Sequence, residues 1–184
     1  MILINVGSKI TDLPLGRLLA QPADMFIFHG EQQNHKNLLI SENQDIVYRA
    51  RVTTSNNEIK ADVYQPELPA QWQQTITPDP VLMFRFSALT YNAHRIHYDR
   101  DYTISEEGYP GLVVQGPLTA TFLLNSLYQE LGNVDISRFS FRGVKPLFDT
   151  APYTVNGAIQ GNKVLLWALT PQQELAMQVD VELA

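Results

Sequence analysis

One segment, Pro117–Leu131 (PLTATFLLNSLYQEL), limits the fold more than any other stretch of this 184-residue chain. Leu118, Phe122, Leu123, Leu127 and Leu131 gather on one side of a helix, and Ala120 and Leu124 widen that side beyond a narrow stripe. Pro117 suits a first helical turn, and Gly132-Asn133 supplies a stop. A helix this apolar must be mostly covered. The residues beyond it read as strands: Ser137–Val144, Pro152–Gln160, Lys163–Leu169 and Glu174–Glu182. In the last of these, Leu175, Met177, Val179, Val181 and Leu183 alternate onto one side. Gly161-Asn162 marks a two-residue hairpin. One buried helix followed by a meander predicts an α+β fold, a curved antiparallel sheet wrapped on a long helix.

The N-terminal third has a different pattern. Ile2–Ile10, Met25–His29, Leu38–Ile40 and Gln44–Thr54 read as strands, and Pro14 and Gly16 argue against a long helix over Leu13–Ala20. No helix comparable to 117–131 precedes residue 60. Tyr64–Pro80 carries four prolines, each fixing φ and removing a donor, and reads as a linker. The expected organisation is a mostly stranded segment over 1–63, a proline-rich linker over 64–80 and a second unit over 81–184. A short helix over Asp79–Thr90 takes Pro80 into its first turn and presents Met83, Phe86 and Leu89 as its apolar face. A further helical turn is expected over Thr103–Glu107, ended by Gly108.

Composition removes several function classes. With 13 basic and 19 acidic residues the formal charge is −6, which argues against a nucleic-acid surface. There is no cysteine, hence no disulfide, thiol nucleophile or thiolate metal site. No apolar run approaches the roughly 20 residues of a membrane span. The start, MILINVGSKITDL, lacks a basic leader and an apolar core of signal-peptide length. A cytoplasmic location is expected, or the mitochondrial matrix for a eukaryotic chain.

Chemistry concentrates in Phe84–Gly116 (FRFSALTYNAHRIHYDRDYTISEEGYPGLVVQG), where Asn92, His94, His97 and Asp99 fall within eight positions. A histidine exchanges protons near neutral pH; an asparagine holds water or a carbonyl without acting as a base. Gly116-Pro117 opens the apolar helix, so free N–H groups at its positive end suit a carbonyl oxygen gaining charge. An acid/base histidine beside such a site fits proton transfer next to a thioester carbonyl, coupled to adding or removing water. Asp99 reads as a cap or brace. Arg85 and Arg95 are candidates for phosphate or carboxylate contacts, although solvated arginines are commoner. His94, His97 and Asp99 have metal-ligand chemistry, but no other feature supports a metal, and no metal or cofactor is expected.

FRFSALTYNAHRIHYDRDY (84–102), EGYPGLVVQGPL (107–118), VKPLFDTAPYTV (144–155) and, upstream, ISENQDIVYRA (40–50) together resemble the MaoC-like hydratase/dehydratases of the hotdog superfamily. The resemblance is nearest to the branch of 3-methylfumaryl-CoA (mesaconyl-CoA) and itaconyl-CoA hydratases and fungal 3-hydroxyacyl-thioester dehydratases. It implies a hotdog preceded by a truncated first hotdog half. By the family motif, His97 takes the catalytic histidine position. Asn92 stands where broader relatives carry aspartate, and His94 assists. Gly116 takes the oxyanion position. Gln115 stands where relatives usually carry histidine before Gly-Pro. The implied activity is reversible hydration of an enoyl-CoA or an acyl-carrier-protein thioester. Two alternatives are a catalytically weakened module that binds acyl thioesters or pairs subunits, and an acyl-CoA thioesterase. Uncovered edge strands of a lone hotdog predict a homodimer.

Overall fold

The computed structural model describes residues 25–33, 38–47 and 63–184. The expected strand Ile2–Ile10, the Leu13–Ala20 stretch and the strand residues beyond Val47 lie outside the described residues. The chain divides into two compact units, Met1–Glu58 and Ile59–Ala184.

In the first unit β1 (Met25–Gln33) and β2 (Leu38–Val47) form an antiparallel pair. Sequence pattern separates Leu38–Ile40 from a strand beginning at Gln44. The structure runs one strand through both, with Ser41, Glu42 and Asn43 paired to Glu31, Gly30 and His29. Ladder pairing belongs to the backbone, so three polar side chains do not interrupt it.

The second unit contains β3 (Trp72–Ile76), α1 (Pro80–Leu89), α2 (Arg100–Ser105), α3 (Gly116–Leu131), β4 (Ile136–Gly143), β5 (Tyr153–Gln160), β6 (Lys163–Leu169) and β7 (Leu175–Leu183). Its five strands form an antiparallel sheet in the order β3-β5-β6-β7-β4. α3 lies on one face of this sheet. Leu118, Ala120, Leu123 and Leu127 join Val155, Val164, Leu166, Val179 and Val181 in one core cluster, with Phe122 and Leu131 partly buried against it. This is the expected α+β hotdog arrangement. Gly132, at φ 75°, ends α3, and its N–H donates to the Tyr128 carbonyl. The β5–β6 hairpin pairs Gln160 with Lys163 and turns through Gly161 at φ 65°.

The proline-rich stretch read as a linker contains a strand. β3 occupies an edge of the sheet, pairing Trp72 with Gly157 through Ile76 with Tyr153. Pro66, Pro69, Pro78 and Pro80 all flank these five residues, so none removes a ladder donor. Upstream of the strand, Tyr64 and Leu68 pack on Ala158, Trp167 and Leu169, which point away from the α3 side. Gly157 admits the Trp72 ring: a Cβ there would lie 2.1 Å from it.

Two helices differ from their sequence outline. α1 is capped by the Asp79 carboxylate, which accepts from Val81 N–H at 2.9 Å, but its buried residues are Met83 and Ser87. Leu89 is 81% exposed. It lies two residues past Ser87, about 200° around the helix, so it leaves the packed side. α2 begins at Arg100, three residues earlier than expected, because Asp99 Oδ1 caps it by accepting from Tyr102 N–H at 3.0 Å.

Candidate active site

The turn after α1 is held by short-range hydrogen bonds that orient two imidazoles. Tyr91 takes a positive φ of 53°, ending the helix, and Asn92 N–H donates to the Ser87 carbonyl at 2.9 Å. Asn92 Oδ1 then accepts from His94 N–H at 3.1 Å, an Asx-type turn. A single 3₁₀ turn, Arg95–His97, comes next, and Asp99 N–H donates back to the Arg95 carbonyl at 2.8 Å. His97 is thereby directed inward and is only 3% exposed.

His97 Nδ1 lies 2.6 Å from the Val113 carbonyl oxygen. A carbonyl can only accept, so Nδ1 carries the proton and the neutral ring keeps its lone pair on Nε2. Nε2 is buried and meets no hydrogen-bond partner among the described residues. Burial pushes the His97 pKa down to about 4; the Val113 carbonyl opposes this and the neighbouring His94 adds to it. His94 stands edge-on to His97, ring centroids 5.7 Å apart and planes at 88°. Its pKa is also lowered, chiefly by burial, with Glu107 pulling the other way. His94 Nδ1 is a second buried nitrogen without a partner among the described residues.

Gln115 sits at the N-cap of α3, 1% exposed, and offers the helix no side-chain cap. Its Nε2 instead donates to the Met83 carbonyl at 2.8 Å and to Ser87 Oγ at 3.0 Å, tying the start of α3 to the packed side of α1. Its Oε1 is a third buried atom without a partner among the described residues. The first-turn N–H groups of a helix have no intrahelical acceptor, and Pro117 contributes none, so Gly116 stands at the positive end of α3 with a donor that the helix itself does not use. Three residues separate Val113 from Gly116, a chain reach of at most about 11 Å. The His97 anchor and the helix entrance therefore belong to one short segment.

Of the residues singled out from sequence, Asn92, His94, His97 and Gln115 are linked through these contacts, and Gly116 follows Gln115 in the chain. Asn92 Oδ1 is engaged in the turn, which leaves its amide NH₂ for any other contact. Arg95 is drawn outward. Its guanidinium pairs with Asp99 at 2.7 Å and lies 4.0 Å from the centroid of the Tyr102 ring. Arg85 is exposed, two residues from both Met83 and Ser87 and so on the opposite side of α1 from the Gln115 contact. Sequence reasoning missed Ser87 as a connector and the Val113 carbonyl as the His97 acceptor. A buried serine four residues after a buried methionine is a weak signal for the first; a backbone acceptor has none.

Two surface hollows flank this region. One, about 580 Å³, is walled by Arg95, Asp99, Tyr102 and Glu106; the other, about 460 Å³, by Pro110, Lys145, Leu147 and Phe148 among others. His97 lines neither. Among the described residues no group of three or more metal-ligating side chains is gathered, and no helix is long and apolar enough to cross a membrane.

A family model described as hydroxyacyl-thioester dehydratase type 2 matches residues 19–149. The chain is 47% identical over 155 residues to the mesaconyl-C(4)-CoA hydratase of Chloroflexus aurantiacus, covering 81% of this chain and 52% of that protein. It is 30% identical over 164 residues to the mitochondrial hydroxyacyl-thioester dehydratase type 2 of Schizosaccharomyces pombe, covering 84% and 52%. The chain thus spans about half the length of the curated relatives it matches. Among solved structures, a MaoC-like dehydratase from Phytophthora capsici superposes with a TM-score of 0.70 at 12% identity, covering 88% of this chain and 57% of that one. That likeness is one of fold.

Proposed function

Because the chain belongs to the hydroxyacyl-thioester dehydratase type 2 family of MaoC-like hotdog proteins, we propose that its second unit adds water reversibly across the double bond of an enoyl-CoA. The single observation that carries this reading is the buried, unpartnered Nε2 of a His97 ring whose other nitrogen is pinned to Val113. In the hydration direction Nε2 takes a proton from water as the water oxygen bonds to the β-carbon. The π electrons shift through the α-carbon onto the thioester oxygen, and Gly116 N–H at the head of α3 donates to the enolate so formed. The His97 imidazolium then returns its proton to the α-carbon and the ring is neutral again. Asn92 NH₂ and His94 assist in orienting water.

The C(4) thioester named for the Chloroflexus relative suggests a short, branched dicarboxylic acyl group as substrate. We further read 1–63 as a remnant of a first hotdog and 81–184 as the catalytic-type one. A homodimer in the cytoplasm completes the proposal; the mitochondrial relative makes the matrix the alternative compartment.

A second reading, an acyl-thioester-binding module with lost catalysis, draws on Gln115, which hydrogen-bonds but cannot titrate, and on the engaged oxygen of Asn92. Loss of enoyl absorbance separates the two. The purified chain is mixed with mesaconyl-C(4)-, itaconyl- and crotonyl-CoA, beside its His97→Ala variant. Hydration by the wild type that falls about 10²–10⁴-fold in the variant supports the enzyme reading. Equal rates in both proteins reject His97 as the base. Binding without turnover favours the module, and release of free thiol would reveal a thioesterase.

A further inference from the structure

The VKPLFDTAPYTV segment has no part in the chemistry above, yet one of its residues is an unusual side chain: Asp149 carries a carboxylate only 1% exposed. Asp149 Oδ1 accepts from Leu112 N–H at 2.9 Å, and Asp149 N–H donates to the Leu112 carbonyl at 3.0 Å. One residue on, Val113 forms an isolated antiparallel bridge with Phe148, and Val114 N–H donates to the Leu147 carbonyl at 2.8 Å. The loop that presents the Val113 carbonyl to His97 is thus fastened rung by rung to residues 147–149. Gly111 shows how closely the two are pressed: a Cβ there would lie 2.6 Å from Thr150 Cγ2 and 2.7 Å from Asp149 Oδ1.

The carboxylate also reaches back to the His97 segment. Arg100, three residues after His97 and the first residue of α2, pairs with Asp149 through both terminal guanidinium nitrogens, Nη1 and Nη2. A closed circuit results. It runs from His97 along the chain to Arg100, across the ion pair to Asp149, through Leu112 to Val113, and back to His97 Nδ1. A buried carboxylate stripped of its cation is costly, so this pairing resists any drift of either segment.

We infer that Arg100 and Asp149 are positioning residues for His97: their ion pair locks the Val113 carbonyl against Nδ1 and so keeps the lone pair of the ring on Nε2. The role assigned to that lone pair rests on the proposed hydratase reading; the tautomer does not. An imidazole in water favours the proton on Nε2, so a loosened Val113 carbonyl lets the proton move to the nitrogen required to be free.

Two-bond ¹H–¹⁵N spectra of the ¹⁵N-labelled full chain read the tautomer directly, with the His97 signals assigned by their loss in His97→Gln. Wild type should show a neutral ring protonated at Nδ1. Arg100→Met should shift it toward the Nε2-protonated form and lower kcat about tenfold to a hundredfold, with little change in KM. Arg100→Lys should recover both. Lys145→Met, which removes the Lys145–Glu174 ion pair of the same unit, should alter neither. If Arg100→Met does not fold, Asp149→Asn takes its place; it retains an acceptor for Leu112 N–H but drops the charge, and the same two readouts decide. A wild-type tautomer in the folded variant, or a kcat loss no larger than that of Lys145→Met, overturns the inference. A wild type without hydration activity instead defeats the proposed function, and the tautomer then decides the positioning role alone.

Discussion

Two regions of the second unit bury polar side chains to the same depth and, the Tyr153 hydroxyl of β5 excepted, treat them in opposite ways. Within the sheet, Asn156 donates to Thr154 Oγ1 at 3.2 Å and to the Trp167 carbonyl at 3.3 Å. Ser126 in α3 donates to the Leu123 carbonyl at 2.8 Å and accepts from Trp72 Nε1 at 3.3 Å. In the segment from His94 to the N-cap of α3, His97 Nε2, His94 Nδ1 and Gln115 Oε1 all stay without partners among the described residues. Buried polar groups are normally satisfied, so an open one marks either a fault or a place kept for something else. Three in one short region, between His94 and the N-cap of α3, are what the proposed reading assigns to a ligand. Depth of burial therefore does not separate these two sets of side chains; their hydrogen-bond partners do.

The sharpest way to break this contrast is to exchange roles. His97→Gln, similar in size, should lower kcat about 10²–10⁴-fold while shifting the melting temperature by only a few degrees. Steady-state kinetics beside a thermal melt would show it, and a stability loss matching the activity loss would make His97 structural.

A second test uses pH. The unfolded chain protonates His97 near 6.5, whereas the folded chain resists protonation until about 4. Stability from this neutral ring is whole above about pH 6.5 and is lost as pH falls through that window, by about 3 kcal/mol in full. Urea unfolding at about pH 7 and about pH 4.5 should show wild type losing more stability than His97→Gln. Equal losses would mean that the ring is not held neutral.

The candidate site was legible in sequence only where side chains carry it. His97, Asn92 and His94 stood out through their spacing and family motif, and α3 with its subsequent strands through periodicity. The features that sequence did not reveal were hidden for physical reasons. β3 hid because prolines crowd both its flanks and an edge strand of five residues leaves a weak alternation. Leu89 reads as part of the buried face because three-residue spacing imitates a helical stripe, while the i, i+4 pair Met83 and Ser87 defines the true one. The tautomer of His97 depends on a backbone carbonyl, which any residue at 113 would supply. Gln115 was visible as a departure from the usual histidine, but its anchoring to α1 emerges only from the fold.

Smaller effects test the satisfied side of the contrast. Gly157→Ala would drive a methyl group into the Trp72 ring and should destabilise by about 1–3 kcal/mol, measured by denaturant unfolding, as β3 is pushed from β5. Asn156→Ala, removing hydrogen bonds that have partners, should cost about 1 kcal/mol and leave kcat within about twofold. Arg85→Ala, exposed and away from the packed side of α1, should change neither stability nor turnover measurably.

The most direct test is the pH dependence of kcat/KM for enoyl-CoA hydration by the wild-type chain. A base held neutral by burial stays active well below ordinary histidine titration, so kcat/KM should lose less than about half its value between about pH 8 and about pH 5.5, with the acid fall near pH 4 to 5. A one-proton fall centred near pH 6.5 would show an imidazole in contact with water, and the buried His97 lone pair would not be the reacting base.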